Sequence, residues 1–239
     1  MILTHSEFKF IDRHFKDVLL LIPGWATDYR IFSSLDLNYN YLLPVNFSCT
    51  NFAKDLSGEL DKRGIEKIFI LGWSLGGFLA YDFALENPER VKGLSLLSIC
   101  RGFNQAILEN ARSGIKRNKR AFLYKFYLDG FSKSDREGVN WFRNYLLNDY
   151  LQGMESQQLL AGLDYLYRAR IIPESLARIK GVRVYHGEDD LIVPLKEACQ
   201  VSPFLEKGAF ICLSGLGHAL FLNHRFKEKF QYGQRNLNQ

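Results

Sequence analysis

Short apolar runs alternate with longer stretches of helical period along most of the chain. Residues 18–22 (VLLLI) contain no polar position and end at Pro23-Gly24, which predicts a buried strand. Residues 42–47 predict a weaker strand, interrupted by Pro44. A helix over 52–63, a strand over 68–71 (IFIL), a helix over 75–85 stopped before Pro88 and a strand over 94–99 continue the alternation. At residue 101 it stops. From there to 178 the strand signal is lost, and amphipathic stretches over 121–128, 141–151 and 157–169 predict an all-helical insertion. The earlier pattern returns with a strand over 182–186, a helix over 195–201, a strand over 209–213 and a final helix near 220–232. Residues 1–14 carry no regular pattern in this reading.

This order predicts the α/β class: a mostly parallel central sheet flanked by helices, built from residues 1–100 and 179–239, with 101–178 inserted as a helical lid. A length of 239 residues suits one such core, and a composition 47% hydrophobic and 24% charged is that of a globular chain. Glu7, Lys9, Asp12 and Arg13 leave residues 1–14 without the apolar centre of a secretory signal, and the 18–22 run is too short to span a bilayer, so a cytoplasmic protein is expected. Cys49, Cys100, Cys199 and Cys212 lack Cys-x-x-Cys spacing. They are expected to be small buried residues and neither zinc ligands nor a disulfide framework.

Charge divides along the same boundary. Residues 101–178 hold 13 Lys and Arg against 8 Asp and Glu, a net +5, while the rest of the chain is balanced at 18 against 18. The densest run is Lys116, Arg117, Lys119 and Arg120, which is either a solvated helix face or a surface that steers an acidic partner.

Gly72-Trp73-Ser74-Leu75-Gly76 fits the G-x-S-x-G nucleophile elbow and stands directly after the IFIL strand, opening a helix. That setting makes Ser74 the candidate nucleophile. A serine hydroxyl needs a base and an orienting carboxylate, expected further along in the order acid, then histidine. The stretch 187–194 (GEDDLIVP) follows a strand and offers Asp189 and Asp190, which spacing does not separate. His218, between Gly217 and Ala219 after the next strand, is the candidate base. His5 and His14 in the N-terminal stretch, His186 at a strand end and His224 in the last helix are expected to be structural. Two backbone N–H groups, of Leu75 after the nucleophile and of Trp25 in the loop after the first strand, are expected to form an oxyanion hole. The Trp25 indole would either wall the pocket or be an ordinary buried side chain.

Together these motifs resemble the α/β-hydrolase superfamily and, within it, the carboxylesterases of biotin synthesis that cleave the methyl ester of pimeloyl-acyl-carrier-protein. The resemblance covers nearly the whole chain and rests on Gly24-Trp25, Gly72 to Gly77, Gly187 to Pro194 and Gly217 to Ala219. It implies Asp190 as the acid. It also implies substrate contacts from Trp25, Ser74, Leu75 and His218 and from a lid segment corresponding to Phe122, Leu123, Tyr124, Lys125 and Phe126, although Tyr124 and Lys125 depart from the smaller or apolar residues of that family. Pro23 replaces the usual histidine of the oxyanion loop, which keeps the backbone donor and removes a supporting side-chain hydrogen bond. The basic run at Lys116, Arg117, Lys119 and Arg120 would then dock the acidic carrier protein. No metal, organic cofactor, nucleic acid or membrane is expected, and the chain is expected to be a monomer. The same triad would also serve a general short-acyl esterase, a thioesterase or a menaquinone-type lyase, and the scaffold without chemistry would be a binding protein.

Overall fold

The computed structural model describes residues 5–235, so residues 1–4 and 236–239 of the expected core lie outside the described residues. One sheet runs through it. Its strands are β1 (Glu7–Ile11), β2 (Val18–Ile22), β3 (Asn40–Asn46), β4 (Ile68–Trp73), β5 (Val91–Leu97), β6 (Val182–Gly187) and β7 (Phe210–Leu213), in the spatial order β1-β3-β2-β4-β5-β6-β7. Every neighbouring pair is parallel except β1 with β3. The two strands that matter most for the site, β2 and β4, lie side by side with Ile22 opposite Gly72.

β1 corrects the expectation of an irregular N-terminal stretch. Glu7-Phe8-Lys9-Phe10-Ile11 alternates over only five residues, and Phe8 packs on Phe52 with ring centroids 5.8 Å apart. Pro44 is tolerated within β3 because pairing with β2 ends at Leu42, and a register shift near Phe8 accommodates it on the β1 side.

The helices that carry the sheet are α1 (Phe52–Lys62) and α2 (Leu75–Glu86). α2 is apolar almost all round and nearly wholly buried, because it packs on β2, β4 and β5 and on α1. Between β5 and β6 come α3 (Gln105–Asp129), α4 (Arg136–Tyr145), α5 (Leu147–Gly153) and α6 (Ser156–Arg168), without a strand. α3 is longer than the expected 121–128 helix and breaks at Asn118, whose backbone leaves the helical region at φ −158° and ψ 88°. Asn118 Oδ1 then accepts the Ala121 N–H at 3.0 Å and caps the second half. The expected 141–151 helix is two helices, because Leu146 leaves the helical path at φ −128°.

After β6, α7 (Leu195–Ala198) is a single turn continued by a 3-10 segment to Phe204 that contains Pro203. The expected final helix is likewise divided. Leu220–Leu222 form a 3-10 turn, Asn223 is extended, and its Oδ1 accepts the Arg225 N–H at 3.1 Å to start α8 (His224–Arg235). Cys100 is buried and Cys49 partly so, but Cys199 and Cys212 are exposed, which corrects the expectation of burial for both. Cys212 lies on the edge strand β7, which has a neighbour on one side only. Among the described residues no helix is long and apolar enough to cross a membrane.

Candidate active site

The β4-to-α2 connection is a single residue, Ser74. Its φ of 54° and ψ of −116° lie in a region that residues with a Cβ rarely adopt, a local strain of about 1–3 kcal/mol that the surroundings must hold. They do so from both sides. The Ser74 N–H donates to the Leu97 carbonyl at 2.9 Å, tying the turn to the end of β5. On the other side the end of β2 passes so close that a Cβ on Gly76 would run into the carbonyls of Ile22 and Pro23. The elbow motif therefore needs its glycine for strand-to-helix packing, and Ser74, the candidate nucleophile, stands between the ends of β4 and α2.

Of the two adjacent aspartates, Asp190 is buried and Asp189 is exposed. Asp190 Oδ1 accepts the N–H groups of Ile192 at 2.9 Å and Val193 at 2.8 Å, and its Oδ2 accepts His218 Nδ1–H at 2.7 Å. A carboxylate oxygen accepts, so His218 Nδ1 is the donor nitrogen of this bond and Nε2 is the ring nitrogen turned away from Asp190. The imidazole itself is buried, with its side chain 2% exposed.

The loop that carries His218 is held from three directions. Its carbonyl accepts Trp73 Nε1–H at 2.9 Å and Ser98 Oγ–H at 2.7 Å. The turn between α3 and α4 binds the loop's flanks: Ala219 N–H donates to the Gly130 carbonyl at 2.9 Å, and the hydroxyls of Ser132 and Ser134 donate to the Gly215 carbonyl. Sequence reasoning missed Ser98, Ser132 and Ser134. Trp73 had a signal in its place within the elbow, but a serine that reaches another loop's carbonyl has none.

Ser74 and His218 line a small cavity of about 20 Å3, walled by Trp25, Phe126 and Tyr127 and with room for about one water molecule. Leu75 occupies the first turn of α2, where an N–H has no partner within the helix, and Trp25 follows the adjacent strand end. The two candidate oxyanion donors thus lie at the start of α2, directly after Ser74, and in the loop that follows the adjacent strand β2.

The Trp25 indole joins the sheet to the helical segment. Its Nε1–H donates to the Leu159 carbonyl of α6 at 2.8 Å, and it meets the edges of Phe126 and Phe122 at 4.9 Å and 6.3 Å between centroids. Gly162 makes room, since a Cβ there would lie 2.6 Å from the indole. Beyond Trp25 lies a second, open cleft of about 710 Å3 between the 45–50 loop and α5 and α6. Trp25 and Thr27 line both spaces.

The five candidate lid residues point in different directions, as consecutive helical positions must. Phe122 and Phe126 face Trp25, and Leu123 is fully buried. Tyr124 is 46% exposed and lines a surface groove with Arg120, while Lys125 pairs with Asp129 at the surface. Around the Asn118 break, Lys116, Arg117 and Arg120 are exposed, and Lys119 is partly buried with its Nζ donating to the Met154 carbonyl at 2.6 Å. No group of three or more His, Cys, Asp or Glu among the described residues is arranged to hold a metal ion.

Residues 23–224 match the family of the alpha/beta hydrolase fold. The chain is 31% identical over 132 residues to the uncharacterized carboxylesterase nap of Bacillus subtilis, a match covering 54% of this chain and 38% of that protein. It therefore spans well under half the length of that relative. A match to the pimeloyl-[acyl-carrier protein] methyl ester esterase of Wigglesworthia glossinidia brevipalpis is 26% identical over 241 residues and covers 87% of this chain and 89% of the other. A solved structure, the bromoperoxidase of Bacillus anthracis, superposes with a TM-score of 0.81 at 17% identity over 96% of both chains, a likeness of fold alone.

Proposed function

The chain belongs to the α/β-hydrolase family, and from that premise we propose that it is a serine carboxylic-ester hydrolase with Ser74 as nucleophile, His218 as base and Asp190 as its orienting acid. The observation that carries this reading is the 2.7 Å bond between Asp190 Oδ2 and His218 Nδ1, beside a strained Ser74 that lines the same cavity as His218. In the first half-reaction His218 Nε2 takes the Ser74 proton as Oγ attacks the ester carbonyl. The resulting oxyanion is held by the N–H groups of Leu75 and Trp25. The carbonyl re-forms, the alcohol leaves with the proton from His218, and an acyl-enzyme remains. Water, deprotonated by the same imidazole, then attacks the acyl carbon and frees the carboxylic acid and Ser74. Asp190 keeps the imidazole in its Nδ1–H tautomer and stabilises the imidazolium formed in each half.

For the substrate we favour a methyl ester at the end of a pimeloyl chain borne on an acyl carrier protein. A relative of that name aligns over nearly the whole length of both chains, and the net +5 segment with Lys116, Arg117 and Arg120 exposed offers an acidic carrier a surface. The helical segment would act as the lid of the site, with Phe122 and Phe126 beside the acyl chain. The cleft beyond Trp25 is large enough for such a chain, whereas the space at Ser74 is not. Methanol and a carrier-bound carboxylate would be the products. Hydrolysis of pimeloyl-carrier-protein methyl ester, compared with free methyl pimelate and p-nitrophenyl acetate, tests the assignment. A kcat/KM at least about tenfold higher for the carrier-bound ester at low salt is expected. Equal values would leave an esterase without a carrier partner.

A further inference from the structure

His186 lies on β6, one residue before the acid loop, and its side chain is fully buried. Its Nε2 stands 2.9 Å from the Val193 carbonyl. A carbonyl only accepts, so Nε2 carries the proton. Nδ1 is buried without a partner, so a second proton there would create a cation with an unsatisfied N–H. Burial accordingly holds His186 below the usual histidine range, against the opposing pull of Asp190.

Val193 connects this histidine to the acid. The residue whose carbonyl His186 holds is also the one whose N–H donates to Asp190 Oδ1 at 2.8 Å. Asp190 Oδ2 is 3.6 Å from His186 Nε2, too far for a hydrogen bond, and 2.7 Å from His218 Nδ1. The carboxylate therefore stands between two histidines and bonds to one.

We propose that His186 is a positioning residue for hydrolysis: by gripping Val193 it sets the orientation of Asp190, and with its Nε2–H committed to that carbonyl it leaves Asp190 Oδ2 to His218 alone. The inference rests on the triad reading of Ser74, Asp190 and His218. His186 meets no reacting atom and acts only through the acid loop. A histidine that merely fills space would give way to an apolar residue of similar size without changing the chemistry.

His186→Leu and His186→Gln separate the two roles, because the glutamine amide keeps an N–H that can reach the Val193 carbonyl. The readouts are kcat and KM on p-nitrophenyl acetate and the low-field proton resonance of the His218–Asp190 bond. His186→Leu is expected to lose about tenfold to a hundredfold in kcat with KM within about twofold, and to shift or broaden that resonance. His186→Gln should recover most of both. An unchanged kcat and resonance in folded His186→Leu would overturn the proposal. Should the leucine variant not fold, the imidazole 15N shifts of the wild-type protein between about pH 5 and 9 decide. A neutral Nε2–H tautomer throughout supports the role, and an Nδ1–H tautomer or an imidazolium in that range overturns it. Fluorophosphonate labelling of wild-type Ser74 keeps the two levels apart. Failure to label sinks the triad reading, whereas normal labelling with an indifferent His186→Leu sinks the positioning role alone.

Discussion

Two spaces meet at Trp25, and they differ in size and in lining. On one side is about 20 Å3 around Ser74 and His218, lined largely by aromatic and apolar side chains; on the other is a cleft of about 710 Å3, bordered also by charged and amide side chains such as Asp82, Gln158 and Arg168. The first suits chemistry, since excluding water strengthens the charge interactions that an oxyanion needs. The second suits binding a chain. On the proposed reading an ester held in the cleft reaches Ser74 past the indole, which is held by a hydrogen bond to Leu159, by the rings of Phe122 and Phe126 and by the room left at Gly162. On the proposed function, catalytic geometry and substrate access fall to different residues, and substitutions should separate them.

The largest effect belongs to the small space. Ser74→Ala is expected to lower kcat by about 10,000-fold or more with the fold intact, measured by ester hydrolysis and circular dichroism. Asp190→Asn should cost about 1,000- to 10,000-fold in kcat, because the amide no longer selects the Nδ1–H tautomer of His218. Loss confined to KM in either variant would place the chemistry elsewhere.

At the partition itself, Trp25→Ala removes a buried ring and should cost about 3–5 kcal/mol of stability in urea unfolding. It should also merge the two spaces and shift preference toward bulkier acyl esters. Gly162→Ala pushes on the indole from the α6 side and should cost about 1–3 kcal/mol while moving selectivity in the same direction. Unchanged selectivity in both would mean that the indole does not gate the site.

Further out, converting Lys116, Arg117 and Arg120 to Ala should lower kcat/KM for a carrier-bound ester about tenfold at low salt, with the effect fading as salt screens it and p-nitrophenyl acetate unaffected. The smallest effect is at the seam between α4 and α8, where the hydrogen bond that exposed His224 donates to Glu137 raises the pKa of His224 above its usual value. A raised folded-state pKa stabilises below the unfolded-state value of about 6.5 and ceases to as pH climbs through the folded value. His224→Gln should therefore lower Tm slightly below about pH 6, with the effect shrinking as pH climbs through the raised folded-state value.

The two spaces were also unequally legible in the sequence. Ser74, Asp190 and His218 each sit in a short motif after a strand, and local chemistry dictates those turns: a strained elbow, a carboxylate bonded to the N–H groups two and three residues on, a loop after β7. The helical segment left weaker signs. Its net charge and helical period were plain, but the break at Asn118 is a cap recognisable only once the turn is seen, and the direction of Tyr124 and Lys125 away from Phe122 and Phe126 follows from how α3 lies on the sheet. The hold of Ser132 and Ser134 on Gly215, some 80 residues away in sequence, is tertiary throughout, and the bond from His186 to Val193, seven residues on, closes the acid loop in a way no short motif marks. Short-range pattern exposes residues that shape their own turn, not those that steady another's.

The most direct test is reaction of the folded protein with a fluorophosphonate, followed by peptide mapping in the wild type, Ser74→Ala and Asp190→Asn. One adduct on Ser74, absent from Ser74→Ala and formed far more slowly in Asp190→Asn, is the expected result. An unmodified wild-type protein, or an adduct on another residue, would contradict the placement of the nucleophile at the β4–α2 elbow.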